Sequence, residues 1–424
     1  MRLLPALRRR SDGLAPLYLM RAADALASTT AAYAIPLLVL ITTGSTALTG
    51  IAFLLEWTPR LAAFTFAGTL ADRFGAGRVF RCTNCIRATV VALAAAVLTV
   101  LPGTGTATTT VVLGFGAVSG LLAEISFVAV ETLGAQAGRH LGNRVHHLQA
   151  VQTGIDQGAM LVGPVLGGLL LLAGPSVLLA AVAALAMTAA VATQGNVLAA
   201  DRRRAPSSLL TGWRTLRRTP ALAWLIGGLA ASNLASGVLQ AAAPITVIHR
   251  FHYSTADVGA VWSVAAVASL LTVIATRRAL DRWQVWPVGA VAAAVSTGAC
   301  LGVSLAPGFA VYTAAVAVLM AAEGALTVVL RTLRSRLIPA AAFGSTLAVV
   351  IILVLLPLPV AGALVAAVPA AGLPHLLLAC AVLQGGVLTA CFAGLRRHRA
   401  ACEPPRERVL VVHRSEHVQP VDAP

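Results

Sequence analysis

Ionisable side chains occur in this sequence where they are expensive to keep. Arg21 and Asp24 lie three residues apart inside the apolar run 16–42, so a helix there places both on one face. Glu56 and Arg60 stand four apart within 47–71, and Glu124 and Glu131 seven apart within 107–134. Asp156 falls in 149–172 and Glu323 in 308–330. Charges in such runs either neutralise one another or face a cavity where they bind protons or substrate. Glu56 and Arg60 read equally well as a self-contained ion pair. Asp24, Glu124 and Asp156 have no cancelling residue so near in sequence, apart from Arg21 for Asp24. The expectation is that these three carry protons and that Arg21 contacts an anionic substrate group, with Glu131 and Glu323 in the same coupling or substrate set. Gln152, Gln157, Asn233 and Gln240 are candidates for polar cavity lining or for links between helices.

The runs that carry these residues are long. Of the 424 residues, 58% are hydrophobic and only 11% are charged, and the mean hydropathy is +0.85. That is too little polar surface to cover a soluble globule of this size. Apolar runs of about 18 residues or more can cross a hydrocarbon core as helices, with every backbone group bonded internally. Bounded by Gly, Pro or charge, they fall at 16–42, 47–71, 79–101, 107–134, 149–172, 176–198, 221–248, 256–278, 284–305, 308–330, 343–367 and 372–395. The reading is an all-α membrane protein of twelve transmembrane helices, with the lipid bilayer as its solvent.

The formal net charge of +16 reads as a topology signal rather than as nucleic-acid binding. No Lys occurs, and the Arg residues cluster between alternate runs. They are Arg8 to Arg10; Arg73, Arg78 and Arg81; Arg139 and Arg144; Arg202 to Arg204 with Arg214, Arg217 and Arg218; Arg277, Arg278 and Arg282; Arg331, Arg334 and Arg336; and Arg396, Arg397 and Arg399 with the tail. The other connections carry only Arg250. The positive-inside rule then places both termini in the cytoplasm and the chain in the cytoplasmic (inner) membrane. Arg21 and Asp24 interrupt the N-terminal run, so it reads as an uncleaved first span rather than a signal peptide.

The polar segment "DRRRAPSSLLTGWRTLRRTP" follows the sixth run and divides the chain. Residues 1–198 form one six-helix half, 199–220 a cytoplasmic linker with an amphipathic Arg-rich stretch, 221–398 the second half, and 399–424 a disordered cytoplasmic tail. Six cysteines include one close pair, "CTNC" at 82–85. Without a second pair or a His partner this predicts neither a metal site nor a cofactor. No phosphate loop with GK[ST] occurs, and the His residues scatter apart from His146 and His147. An enzyme is therefore not expected, nor ATP-driven work by this chain alone.

Two motifs carry the functional reading. "GTLADRFGAGR", residues 68–78, holds Gly68, Asp72, Arg73, Gly75 and Arg78 between the second and third runs, and "ALDRW" at 279–283 repeats it after the eighth. Asp72 is expected to cap the helix end region and to pair with an Arg or a helix N-terminus of the other half. Gly68 and Gly75 are expected to permit close helix approach and a tight turn. "GIDQGAMLVGPVLGG", residues 154–168, places Gly154, Gly158, Gly163, Gly167 and Gly168 on the fifth run with Pro164 as a local bend.

The first motif, in its position between spans two and three, closely resembles the signature loop of the major facilitator superfamily, and the six-plus-six arrangement extends the resemblance over about residues 14 to 398. "GPVLGG" on the fifth run looks like that family's antiporter signature. "LYLMRAADALASTTAAYAIPLLVLITTGSTALTG" and "EWTPRLAAFTFAGTLADR" resemble the branch containing the enterobactin exporter and macrolide-efflux-like proteins. The resemblance implies the major facilitator fold of two six-helix bundles and proton-coupled efflux by alternating access. The implied cargo is a small molecule, either a siderophore or similar secreted metabolite or, as the alternative, a drug or macrolide whose export gives antibiotic resistance. A non-transporting receptor of the same fold is the remaining reading, and a monomer is expected. Family antiporters commonly carry an Arg in the middle of the fourth span, whereas this chain has Glu124 and Glu131 there and Arg87 in the third.

With the native cysteines replaced, Leu210→Cys in the linker should resist an impermeant thiol reagent added outside intact cells and react once the membrane is opened. Labelling in intact cells would reverse the topology.

Overall fold

The computed structural model describes residues 15–100, 105–141, 145–193, 209–283, 285–338 and 343–398. The expected linker residues 199–208 and tail 399–424 lie outside them. The first half contains α1 (Ala15–Thr43), α2 (Thr46–Phe74), α3 (Ala76–Val100), α4 (Thr106–Leu141), α5 (Val145–Leu172) and α6 (Pro175–Ala192). A short helix α7 (Leu209–Arg218) leads to the second half. That half contains α8 (Pro220–Ile245), α9 (Thr255–Arg282), α10 (Val285–Ser304), α11 (Phe309–Leu337), α12 (Phe343–Leu355), α13 (Pro357–Ala367) and α14 (Leu373–Arg397). No strand occurs among the described residues.

Among these residues, 11 helical segments are long and apolar enough to cross a membrane. The expected second span is the exception. Helix α2 has the length, 29 residues, but Glu56, Arg60, Asp72 and Arg73 dilute its apolarity. It keeps its place in the bundle because Glu56 is turned inward, 1% exposed.

Local chemistry sets the breaks. Ser45 accepts from the Leu48 N–H at 3.2 Å and starts α2. Gly75 adopts φ +88° and its N–H bonds the Ala71 carbonyl at 3.0 Å, which turns the chain directly into α3. The expected single span 343–367 is instead two helices, α12 and α13, because Pro357 and Pro359 supply no backbone N–H. Asn233 of α8 donates to the Val354 carbonyl at 2.7 Å beside this break. Its amide therefore links helices rather than serving as free cavity lining. The seventh crossing ends in a π-helical turn, Thr246–Arg250.

The halves join at one end and separate at the other. At the end far from the Arg clusters, a single apolar core draws on both halves, from Ala31, Leu38 and Phe53 to Val238, Trp262 and Val365. Tyr33 and Trp262 touch across the seam with ring centroids 5.3 Å apart. At the Arg-rich end each half has its own core, around Phe80 and Leu133 in one and around Trp286 and Leu333 in the other. Helix α7 adds Leu216 to a small cluster with Leu222, Ile226 and Val350, and turns Leu210, Trp213, Arg214, Arg217 and Arg218 outward.

Glycines make the joined end possible. A Cβ on Gly168 would lie 2.5 Å from the Thr255 carbonyl oxygen, and one on Gly259 the same distance from that of Pro164. Gly50 and Gly362 face each other across α2 and α13, and a Cβ on either would strike the other's backbone. Gly163 and Gly167 admit Thr29 and Thr30 of α1. Three glycines depart from expectation, since a Cβ at Gly68, Gly154 or Gly158 would meet nothing within 4 Å. The first GxxxG spacing of α5 is therefore not a packing face in this arrangement, and Gly68 is not a helix contact.

Ser263 donates to the Leu161 carbonyl across the seam at 2.6 Å. Cysteines placed at 161 and 263 should form a disulfide readily on mild oxidation, and adding Gly168→Val should lower that yield several-fold. An unchanged yield would show that the seam does not rest on the missing side chain.

Candidate functional site

The charges within the spans of the first half fall into three groups, each built around an arginine; Glu131 and Asp156 are the more open ones, 48% and 32% exposed. Arg21 of α1 is 3% exposed. It donates from Nε to Asp156 Oδ1 at 3.0 Å and from Nη2 to Asp156 Oδ2 at 2.6 Å, and Nη2 also bonds Glu131 Oε1. One guanidinium thus ties α1 to α4 and α5 with two carboxylates. This corrects the expectation that Asp156 stands without a cancelling charge. It also leaves Arg21 little capacity for an anionic ligand, since only Nη1 lacks a partner.

Asp24, one turn along α1, does not pair with Arg21. It accepts from Ser126 Oγ of α4 at 2.8 Å and faces Arg87 Nη1 of α3 at 3.8 Å. Arg87 donates to Ser28 Oγ at 2.8 Å, and Asn84 donates to Ser126 Oγ at 2.8 Å. Arg87 is 1% and Asp24 4% exposed, so neither charge has a bulk-water alternative. The cation that the family resemblance places on the fourth span comes here from the third.

In the third group Arg60 Nη2 lies 3.0 Å from Glu56 Oε1. The contact is an ion pair without hydrogen-bond alignment, because both Glu56 oxygens and Arg60 Nε lack hydrogen-bond partners. Arg60 stacks on Trp57, 4.8 Å from the ring centroid. It is also the cation acting on Glu124, whose Oε1 is buried and unbonded. Taken together, Asp24, Glu56, Glu124, Glu131 and Asp156 share Arg21, Arg60 and Arg87. Among the described residues of these spans the carboxylates outnumber the guanidiniums by two.

Glu323 lies apart from all of these, on α11 in the second half. It accepts hydrogen bonds from Ser296 Oγ of α10 and from Gln384 Nε2 of α14. Sequence reading missed Ser126, Ser296 and Gln384, because an isolated Ser or Gln in an apolar run carries no spacing signal. Gln152 is buried beside Gly134, where a Cβ would meet its amide. Among the described residues, no group of three or more His, Cys, Asp or Glu gathers as a metal site. Asp72, Arg73 and Arg78 are exposed, and Asp72 makes no ion pair among the described residues. Asp72 lies within the last turn of α2, and Gly75 rather than Asp72 caps that helix.

Removing one partner of a buried pair leaves the other uncompensated, at a cost of about 3–5 kcal/mol. Arg87→Met should therefore lower the unfolding temperature of the purified protein sharply, and Asp24→Asn in the same chain should restore most of the loss. An additive double mutant would show that the two do not act as a pair.

Comparison with known proteins matches residues 17–356 to the Major Facilitator Superfamily. A bacterial homologue of the iron transporter ferroportin, solved in an inward-facing state, superposes with TM-score 0.71 at 14% identity, covering 89% of this chain and 98% of its own. A bacterial homologue of the lysosomal transporter Spinster, inward-facing and unoccupied, gives 0.68 at 13% identity over 93% of this chain and 99% of its own. A nucleoside transporter gives 0.72 at 12% identity over 89% and 98%. No curated protein matches the sequence. At these identities the structural likeness concerns the fold, while the family match spans most of the chain, its buried charge groups included. The chain belongs to the major facilitator superfamily, and it is a multi-pass membrane transporter rather than an enzyme.

Proposed function

We propose that this transporter exports a small organic molecule from the cytoplasm in exchange for protons, by alternating access. The observation that carries the proposal is the charge imbalance of the first half, where five membrane carboxylates share three arginines. In hydrocarbon an excess carboxylate is neutralised by a proton or by a cation on the cargo. A site that takes either one is a means of exchange. The "GPVLGG" run on α5 supports export over uptake, through its resemblance to the family's antiporter signature.

The direction of opening agrees with this reading. If the Arg-rich end is cytoplasmic, the separated cores describe a protein open to the inside, like the two inward-facing transporters it resembles. Asp72 is then unpaired because the cytoplasmic end is open, and it finds its partner when that end closes.

Resemblance of the first two spans to the enterobactin-exporter branch supports a siderophore-like secreted metabolite as cargo. The second reading, an amine-bearing drug such as a macrolide, is favoured by the saturated Arg21 and by the surplus of acids.

Inverted membrane vesicles energised with an acid interior test the proposal against a panel of metabolites and drugs. Uptake should follow the proton gradient and collapse with a protonophore. Uptake that ignores the protonophore would rule out proton exchange. In the same vesicles Asp72→Asn should insert normally but slow transport several-fold, because it removes the charge that closes the cytoplasmic end. A normal rate would dispose of that role.

A further inference from the structure

Glu323 lies mid-span on α11, and no arginine pairs with it among the described residues. Four helices of the second half meet around it. Ser296 of α10 and Gln384 of α14 are both 0% exposed. Ser296 Oγ donates to Glu323 Oε1, and Gln384 Nε2 reaches the same oxygen at 2.6 Å and Ser296 Oγ at 2.7 Å. Ser232 of α8, 3% exposed, completes the ring at 3.4 Å from Gln384 Nε2. From α9, which packs on α11 at Gly324, the neighbour is the neutral Ser269. The nearby titratable groups are the thiols Cys300 of α10 and Cys380 of α14. No charged side chain of α8, α9, α10 or α14 pairs with Glu323 among the described residues.

This shell differs in kind from those of the first half. A guanidinium only donates hydrogen bonds and favours an ionised carboxylate, whereas hydroxyls and an amide can donate or accept. Gln384 Oε1 is buried without a partner. Turning the amide over brings this acceptor towards Glu323, where it suits a protonated carboxyl that donates. The ring therefore offers donors to an ionised Glu323 and an acceptor to a protonated one. Glu323 itself is only partly exposed, so it is held by the bundle without being sealed inside it.

We propose that Glu323 is the proton-carrying carboxylate of this transporter, with Ser296, Gln384 and Ser232 as a shell that reverses its hydrogen bonds when the proton arrives or leaves. The proton is taken from water on one side, forming the carboxyl O–H bond, and is returned to water on the other when that bond breaks. No other group is consumed. The assignment rests on the proton-exchange reading above; it moves the transported proton from Asp24, Glu124 and Asp156 to the other half of the molecule and leaves the surplus carboxylates of the first half to a cation on the cargo.

Two measurements keep the failure of this assignment distinct from failure of the exporter reading. The first needs no cargo. Infrared difference spectra of the purified, reconstituted protein across a pH series should show the carbonyl stretch of a protonated membrane carboxyl. Glu323→Gln should abolish the pH-dependent band, Glu323→Asp should retain one, and Asp24→Asn, Glu124→Gln and Asp156→Asn should leave it in place. A band that survives Glu323→Gln, or disappears with Asp24→Asn, Glu124→Gln or Asp156→Asn, overturns the assignment. The second measurement uses the cationic dye ethidium in inverted vesicles. Glu323→Gln should lose gradient-driven accumulation while keeping dye exchange at zero gradient. Gradient-driven accumulation at the wild-type rate in Glu323→Gln would also overturn it. Absence of dye transport in the wild type counts against that cargo class alone, since the infrared result decides the protonation site without it.

Discussion

A charge inside a bundle bounded by hydrocarbon has no water to fall back on, so it must find its counter-charge or its hydrogen bonds among neighbouring helices. Much of this structure follows from that requirement. Arg21 cannot stay buried on α1 unless α4 and α5 bring Glu131 and Asp156 to it. Arg87 holds α3 to α1 for the same reason. The first half is thus fastened by its charges, and the same charges keep it incompletely neutralised. The second half is fastened by apolar packing, by the polar shell around Glu323 and by side-chain bonds to backbone carbonyls from Asn233 and Arg250. The halves share an architecture but hold their carboxylates by different means.

The fold was largely legible because its determinants are local. Apolar run length places the crossings, Arg clusters mark their ends, and Gly75 marks the turn after α2. Pro357 and Pro359 also announced the break in the eleventh crossing, yet an apolar run that continues past them reads as one span. The charge network was less legible because its pairs are not neighbours in sequence. Arg21 lies three residues from Asp24 but bonds groups 110 and 135 residues away. Helical spacing says which residues share a face and nothing about which helix that face meets. The same limit explains Gly154 and Gly158, whose spacing suits a helix contact although a Cβ at either would meet nothing within 4 Å.

This division bears on transport. The charged groups proposed to handle protons and cargo lie within the halves, while the close-packed glycines lie between them. The seam is made of Gly50, Gly168, Gly259 and Gly362 against bare backbone, together with hydroxyl contacts from Thr255 to the Gly168 carbonyl at 3.0 Å and from Ser263 to the Leu161 carbonyl at 2.6 Å. Such contacts are lost without leaving a buried charge behind. The halves can therefore part there while the ion pairs within the first half stay intact, and the charge state of a half can bias the seam without being part of it.

Joining at one end and separate cores at the other give the molecule a wedge-shaped cross-section. A wedge occupies more area in the leaflet where it is spread and less where it is pinched, and closing the spread end exchanges one footprint for the other. The work of that exchange is done against the lateral pressure of the lipids. Under the alternating access proposed above, the balance between the open and closed forms is then partly a property of the bilayer. Lipids that crowd the leaflet at the Arg-rich end press the halves together there, and lipids that relax it let them stand apart, with no lipid needing to bind.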